Sequence, residues 1–471
     1  MIGITAYGAY IPRYRIGREV FRQAWGMQYS PGERAVAYYD EDSVTMAHAA
    51  AVDCLGNANA GGMEALFLAS TTLPYKEKQM ASLLAAAMDL PATVRTADFT
   101  DSLRAGTLAM SSALDAVKSG SAPRVLVVSA DCRMGIPTSA REQIFGDGAA
   151  AFRFGHEDVA VEIEASHSVN TEITDVWRRN RDPFPSGWED RWAILYGYLA
   201  PLQEAIKGLL EKTGRTPKDF SRVILPAPDY RSHQELVRSL GFDPKAQAQD
   251  PLLNTIGATG AAHAPMMLAA ALESAKAGER ILLANYGNGA DAFALRITEN
   301  IRKIKPFRGI AAHLKSKRPL GSYERFLRWR EVVEVEGSRR QQPFSSPTVL
   351  YRESGWLLPL KGSKCRRCGL MDFPPQRVCY QCGSKDAFDL IPLAKTGKVF
   401  TYTEDYLTGA AFEEFAGTVV LDLDGGGRFR ALTSETEAGE THIDMPMELV
   451  FRKIHEGAGY NNYFWKARPT R

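Results

Sequence analysis

Cysteine is scarce in this chain: there are six in 471 residues, and four of them fall between positions 365 and 382. The other two, Cys54 and Cys132, stand apart and read as buried structural thiols. A disulfide scaffold is therefore excluded, and a reducing, cytoplasmic setting is expected. Long apolar runs are missing too, which excludes a membrane-spanning helix. The first residues, Met1-Ile-Gly-Ile-Thr-Ala-Tyr-Gly-Ala-Tyr, read as a strand and lack the basic region and apolar core of a signal peptide. Nor is there a surplus of either charge. With 57 Lys and Arg against 55 Asp and Glu, a net charge of +2 gives no pull toward nucleic acid or membrane. What is present, 45% hydrophobic and 24% charged residues, is ordinary globular material in two or three domains.

The chain is organised around Asp98 to Val117, where a short β-type run turns at Asp101 and Ser102 into an Ala-rich helix. That helix is apolar on most sides and belongs inside a large core. Its N-terminal end offers free N–H groups and a positive dipole end to an anion or oxyanion. The feature occurs twice. Arg124-Val-Leu-Val-Val-Ser-Ala-Asp follows this helix, and Arg280-Ile-Leu-Leu-Ala-Asn-Tyr-Gly follows a second small-residue helix expected over Thr259 to Ala277. Each strand leads to a Gly-rich turn, at Gly146-Asp-Gly and Gly287-Asn-Gly. A long-period repeat of this kind predicts a duplicated α/β unit and not a solenoid.

Residues 1–165 alternate strands with helices, among them Ser43–Leu55, which predicts a mainly parallel sheet with helices on both faces. Positions 175–188, rich in Arg, aromatics and turn residues, read as a long functional loop or cap. The second half, 166–300, contains a helix expected over His233–Leu240 with Ser232 and Glu235 as a capping box. From 301 to 350 the composition turns basic, with twelve Lys and Arg against four Glu. A solvated linker explains this stretch. The alternative is that Tyr323, Phe326 and Trp329, three residues apart on a helix, dock it onto the first domain.

Cys365-Arg-Arg-Cys368-Gly369 and Cys379-Tyr-Gln-Cys382-Gly383 form two Cys-x-x-Cys knuckles. Four thiolates at this spacing predict a closed, structural zinc site in a ribbon over 351–395. The flanking Lys364, Arg366, Arg367 and Arg377 offset its negative charge. Over 396–471, five short strands and the Asp424-Gly-Gly-Gly turn suit a small barrel such as an OB-fold. No nucleic-acid partner is expected from the charge balance.

Residues 1–300 resemble the thiolase superfamily, nearest to hydroxymethylglutaryl-CoA synthase and β-ketoacyl synthase III. The motifs that carry the resemblance are Gly8-Ala-Tyr-Ile-Pro-Arg-Tyr-Arg-Ile, Asp40-Glu-Asp-Ser-Val-Thr-Met-Ala, Arg104-Ala-Gly-Thr, Gly146-Asp-Gly-Ala-Ala-Ala-Phe and Ala275-Lys-Ala-Gly-Glu-Arg-Ile. Residues 351–471 resemble the zinc ribbon plus OB-fold proteins that accompany thiolases acting on acyl-CoA. The resemblance implies a duplicated thiolase-like α/β domain, a homodimer, and a coenzyme A thioester as substrate.

It also implies where the chemistry sits, and there the chain departs from the pattern. The nucleophilic Cys position falls on Leu103, or on Ser102 after a one-residue slip; the general-base Glu falls on Thr71, the His on Pro226 and the Asn on Ala258. Claisen condensation needs an acyl-enzyme and a base, so synthase activity is not expected. Related thiolase-like proteins with OB-fold partners include aldolases that cleave β-hydroxyacyl-CoA without a Cys nucleophile. A retro-aldol step needs a base for the β-hydroxyl and donors for the enolate oxygen, but no covalent intermediate. Tyr286, at a strand end, is the leading acid–base candidate, with a core role as the alternative, and His263 is the second. Asp101 and Ser102 either join the site or cap the helix. Arg231 falls where the synthases face CoA with a Lys, and Tyr75 and Tyr230 follow nearby motif positions, as do Asp229 and His233. Three readings follow: a lyase making or breaking a β-hydroxyacyl-CoA, an acyltransferase or synthase using Ser102, and a non-catalytic acyl-CoA-binding partner.

Overall fold

Runs such as Val125-Leu-Val-Val and Ile281-Leu-Leu-Ala, apolar on both faces, can only be satisfied in the middle of a covered sheet. The computed structural model describes residues 1–56, 62–179, 181–334, 345–407 and 413–471. It forms two units. The first comprises Met1–Ala37, Asp42–Ala85 and Leu90–Phe326, and the second Tyr38–Glu41, Ala86–Asp89 and Leu327–Arg471.

The first unit is built on one nine-stranded sheet: β1 (Gly3–Tyr10), β2 (Ala65–Ala69), β3 (Arg95–Phe99), β4 (Val125–Cys132), β5 (Asp147–Gly155), β6 (Val161–Asn170), β7 (Arg222–Ile224), β8 (Arg280–Tyr286) and β9 (Gly289–Ile297). In space they run β7-β8-β9-β6-β1-β5-β4-β2-β3. The two halves of the repeat thus share a single sheet. The expectation of a mainly parallel sheet is corrected. Three pairings are parallel, β2/β3, β2/β4 and β7/β8, while five are antiparallel. For one of these pairs the reason is local: β8 and β9 are joined at Gly287–Asn288, both at positive φ, a link far too short for a helical crossover.

Helix α1 (Ser43–Leu55) has the bounds expected, because Asp42 accepts from the Val44 and Thr45 N–H groups and the Thr45 hydroxyl reaches back to the Asp42 backbone. Helix α2 (Ala105–Lys118) and helix α3 (His263–Leu272) are the two buried helices of the repeat. Gly106 lets them approach, since a Cβ there would sit 2.5 Å from the Ala261 carbonyl oxygen. The second helix is shorter than expected. Gly260, at φ +58°, starts a 3-10 turn over Gly260–Ala262, and α-geometry begins only at His263. The helix expected from His233 spans Tyr230–Ser239, and its cap is Asp229, not Ser232: the Asp229 carboxylate accepts the Ser232 N–H at 2.9 Å.

The basic stretch is not an open linker where it is described. It contains helices Gly309–Lys315 and Tyr323–Trp329, and Arg318–Pro319 pairs with Tyr14–Arg15. Tyr323 and Phe326 are buried, with their rings 5.6 and 5.8 Å from that of Phe21. Positions 335–344 of the stretch lie outside the described residues.

In the second unit, strands Met371–Asp372, Lys361–Cys365 and Phe388–Pro392 form a small sheet in that order. A five-stranded antiparallel sheet runs Arg428–Leu432, Ala416–Leu423, Thr396–Asp405, Pro446–Gly457, Tyr460–Pro469. Its inward row includes Val399, Val419, Leu421, Phe429 and Phe451. A parallel bridge between Thr433 and Ala467 brings the two end strands together.

Candidate active site and zinc ribbon

At the C-terminal ends of β4 and β8 the first unit encloses two adjoining cavities, of about 600 and 380 Å³. Leu103, Arg133, Asp175, Val176 and Pro185 line both. The four positions that the resemblance marks as chemical converge here. Leu103 borders both cavities, Thr71 the smaller, and Pro226 and Ala258 the larger. No cysteine lines either cavity among the described residues.

The helix end that opens the site is held by side chains on three elements. The Arg104 N–H donates to Ser102 Oγ at 3.2 Å, and that hydroxyl donates to the Gly287 carbonyl at 3.1 Å. The Arg104 side chain is spent on structure, pairing with buried Asp291 at 3.2 Å and donating to the Val169 and Asn288 carbonyls. Asp101 stands at φ +69°, a left-handed conformation uncommon outside glycine. It accepts the Thr100 hydroxyl at 2.8 Å. Asp101 and Ser102 border the smaller cavity only.

Tyr286 and His263 both line the larger cavity. The Tyr286 ring meets the Tyr198 ring edge-on at 4.9 Å. Burial pushes the Tyr286 phenol well above its ordinary pKa; Arg133 opposes the shift, and Asp175 and Asp229 add to it. The phenol therefore stays protonated at neutral pH and is equipped to donate a proton. His263 Nδ1 accepts the Thr259 N–H at 3.2 Å, and burial pulls its pKa down to about 4. It is a neutral imidazole whose Nδ1 lone pair is already engaged.

Sequence reasoning missed three residues of this site. Arg133 follows the last residue of β4 and is only 9% exposed, yet it forms no hydrogen bond or ion pair with any described residue. Its guanidinium lies 4.2 Å over the Phe145 ring. The carboxylate whose charge acts on it most, Asp131, accepts five hydrogen bonds from Ser70, Thr71, Thr72 and Ala261 instead. Tyr198 sits in a π-helical turn, Ala193–Leu199, and its buried hydroxyl has no partner among the described residues. Such turns occur frequently at functional sites. Asp175 opens the 175–188 loop and faces both cavities, with Oδ1 accepting the Val176 N–H at 2.7 Å. The available signal for Arg133 was its place: a charged residue at the C-terminal end of an apolar strand, where α/β sheets bind ligands.

The other expected contacts are not gathered at the cavities. Arg231 is exposed, the Tyr230 hydroxyl donates to Asp250 at 3.0 Å, and Tyr75 is half-buried; none of the three lines either cavity. Asp229 does line the larger one while capping its helix.

In the second unit the four sulfurs of Cys365, Cys368, Cys379 and Cys382 lie within 4.8 Å of one another. Cys365 and Cys382 are 3.7 Å apart, and Cys368 and Cys379 are 3.6 Å apart. Tetrahedral Zn–S bonds of about 2.3 Å set sulfurs about 3.8 Å apart, so these two pairs already stand at ligand spacing and the four residues fit zinc. Four thiolates would leave a bound zinc no open position, which is the pattern of structural and not catalytic sites. Replacing Cys379 by Ala is expected to remove one zinc per chain by elemental analysis and to unfold the ribbon. Native folding with zinc retained would contradict that assignment.

Comparison with known proteins fits this geometry. Residues 210–298 match the model of the 3-oxoacyl-[acyl-carrier-protein] synthase III C-terminal domain, and residues 360–388 match the ChsH2-type rubredoxin-like zinc ribbon. The hydroxymethylglutaryl-CoA synthase of Methanopyrus kandleri is 31% identical over 315 residues, spanning 64% of this chain and 90% of that protein. The Methanocaldococcus jannaschii synthase is 31% identical over 346 residues, spanning 71% and 100%. Among solved structures, an HMG-CoA synthase complexed with CoA superimposes with a TM-score of 0.64 at 18% identity, covering 73% of this chain and 94% of that one. The 3-oxoacyl-[acyl-carrier-protein] synthase III of Aquifex aeolicus gives 0.55 at 22%, covering 63% and 100%. On the shared sheet, the repeat and the match across nearly the whole length of these relatives, the chain belongs to the thiolase-like hydroxymethylglutaryl-CoA synthase family, with a zinc ribbon in its C-terminal part.

Proposed function

We propose that this chain binds a β-hydroxyacyl-CoA thioester and makes or breaks its C–C bond by an aldol-type step, without an acyl-enzyme. The observation that carries the reading is Leu103. It stands where the family resemblance puts the nucleophile, and it borders both cavities while no cysteine among the described residues does. An aldol step asks only for a base, an acid and charge stabilisation. In the cleavage direction Asp175 accepts the β-hydroxyl proton, the C–C bond breaks to a carbonyl compound and a thioester enolate, and Tyr286 returns a proton to the enolate carbon. Both residues face the larger cavity, and Asp175 is among the carboxylates that act on the Tyr286 phenol. His263, neutral and buried, helps shape the wall beside them. Arg231, Tyr230 and Tyr75 are assigned to the CoA moiety, outside the reacting centre. The class of substrate is in keeping with the relatives, since 3-hydroxy-3-methylglutaryl-CoA is itself a β-hydroxyacyl thioester.

A panel of β-hydroxyacyl-CoA esters, assayed for release of aldehyde or ketone, tests the proposal. Release by wild type and by Ser102→Ala is the expected result: the N-cap of the helix is Arg104 and not Ser102, and the Ser102 hydroxyl only ties the Arg104 N–H to the Gly287 carbonyl. Absence of release from every ester, with CoA esters still bound, would favour a binding partner over an enzyme.

One observation favours a second reading. Ser102 stands next to Leu103, borders the smaller cavity, and the relatives are named as synthases. Condensation would then run through a Ser102 ester, and Ser102→Ala would abolish activity. As in thiolase-like proteins generally, a homodimer is proposed, and sedimentation at micromolar concentration giving a monomer would refute it.

A further inference from the structure

We infer that Arg133 is the recognition residue for a carboxylate carried by the acyl group, and that the substrate class is a bulky, mostly apolar acyl thioester bearing that one anionic group. The inference rests on the CoA-thioester reading and adds what the acyl group must look like.

Three observations converge on it. First, Arg133 is a permanent cation in a buried position. Guanidinium is not deprotonated at any ordinary pH, and an unpaired buried charge is strongly unfavourable. Here only the face of Phe145 and carboxylates at longer range offset it. Asp175, the carboxylate that shares both cavities with it, forms no ion pair with it. Second, the Tyr198 hydroxyl on the same cavity is buried without a partner among the described residues. A ligand that offers an acceptor to each would engage a cation and a hydroxyl that no described residue hydrogen-bonds. Third, apolar side chains such as Ile136, Ile144 and Phe145 make up most of the larger cavity's wall, whose other charged residues are Arg141, Asp175, Asp190 and Asp229. Its volume of about 600 Å³ falls in the range of about 300–1,000 Å³ that holds drug-sized ligands. A small acyl group would leave most of that apolar wall bare, so the cavity calls for a large, mostly apolar body, and Arg133, the buried cation without an ion pair among the described residues, marks the place for its acid. A carboxylate meets a guanidinium in a planar, two-point contact that no neutral acceptor reproduces.

The test is a binding measurement on the full-length protein by calorimetry, with CoA, decanoyl-CoA and the mono-CoA thioester of decanedioic acid as probes. The last two differ only at the far end of the chain. Wild type should bind the acid-bearing thioester about 10- to 100-fold more tightly than decanoyl-CoA. Arg133→Met keeps the length of the side chain and its packing on Phe145, and should erase the preference while leaving decanoyl-CoA affinity in place. The same variant should melt at a higher temperature than wild type without ligand, because it removes an uncompensated charge. Arg133→Gln provides the comparison if the Met variant does not fold. Equal binding of the two thioesters by wild type, or a preference that survives in both variants, would overturn the inference alone. Failure of all three probes to bind would overturn the CoA reading and this inference with it.

Discussion

Tyr286→Phe is expected to lower kcat by about 10²–10⁴ with no change in fold. The ring of Tyr286 packs edge-on against Tyr198 at 4.9 Å, and phenylalanine keeps that contact. Only the hydroxyl is lost, and with it the proton donor. The pH profile should carry a second signature. Burial raises the phenol's pKa above its ordinary value of 10. A group raised in this way keeps its proton as pH climbs, so an acid-catalysed step should show no alkaline fall from Tyr286 up to pH 10. Asp175→Asn should produce a loss of the same order, because a general base is as necessary as the acid. A fully active Tyr286→Phe enzyme would remove Tyr286 from the mechanism. A fall of kcat/KM caused by KM alone would recast it as a binding residue.

The second large effect lies in the second unit and concerns stability. Glu435 is fully buried and takes ion pairs from Arg452, Arg468 and Arg471 at 2.8, 3.1 and 2.6 Å. Arg452 also meets Asp40 and Glu41 at 3.4 and 2.8 Å, and Lys466 meets Asp40 at 2.8 Å. Glu435→Gln leaves three guanidinium groups around a neutral amide. Breaking a buried charge network by removing one partner costs about 3–5 kcal/mol, and the variant should lose that much in denaturant melts of the second unit. Acid should act in the same direction. The three arginines hold the Glu435 carboxyl well below its ordinary pKa despite its burial. The stabilisation is therefore complete above the unfolded value of about 4.3 and fades as pH falls toward the lowered folded value. Glu435→Gln should flatten that acid limb. An unchanged acid limb would place the sensitivity elsewhere.

What the sequence reveals, and what it hides, follows from the distance over which each feature is encoded. Helix α1 and the cysteine knuckles are local: a cap at Asp42, or two Cys-x-x-Cys pairs with glycine behind each, fix a short segment by themselves. The repeat is legible as well, because each copy carries its own strand, turn and buried helix. The sheet's mixed direction is not, since periodicity is the same for parallel and antiparallel strands and only the Gly287–Asn288 link betrays the hairpin. The stretch from 301 misleads by composition. Its described charges are exposed or half-buried, while the aromatic residues Tyr323 and Phe326 of its second helix are buried. The site divides in the same way. Leu103, Thr71, Pro226 and Ala258 are found through motifs, because motifs mark positions even where their chemistry has gone. Arg133, Asp175 and Tyr198 come from three separate segments, and nothing in the linear order announces that they meet. An unpaired cation, in particular, is a statement about everything around it and cannot be seen before the chain is folded.

Intact-mass spectrometry of the wild-type protein, taken at intervals during turnover of a β-hydroxyacyl-CoA, tests the central claim most directly. An aldol step without covalent catalysis predicts that carbonyl product and shortened acyl-CoA accumulate while the protein mass stays at its unmodified value. A mass increase equal to the acyl group, lost in Ser102→Ala together with activity, would contradict the account and establish an acyl-enzyme in its place.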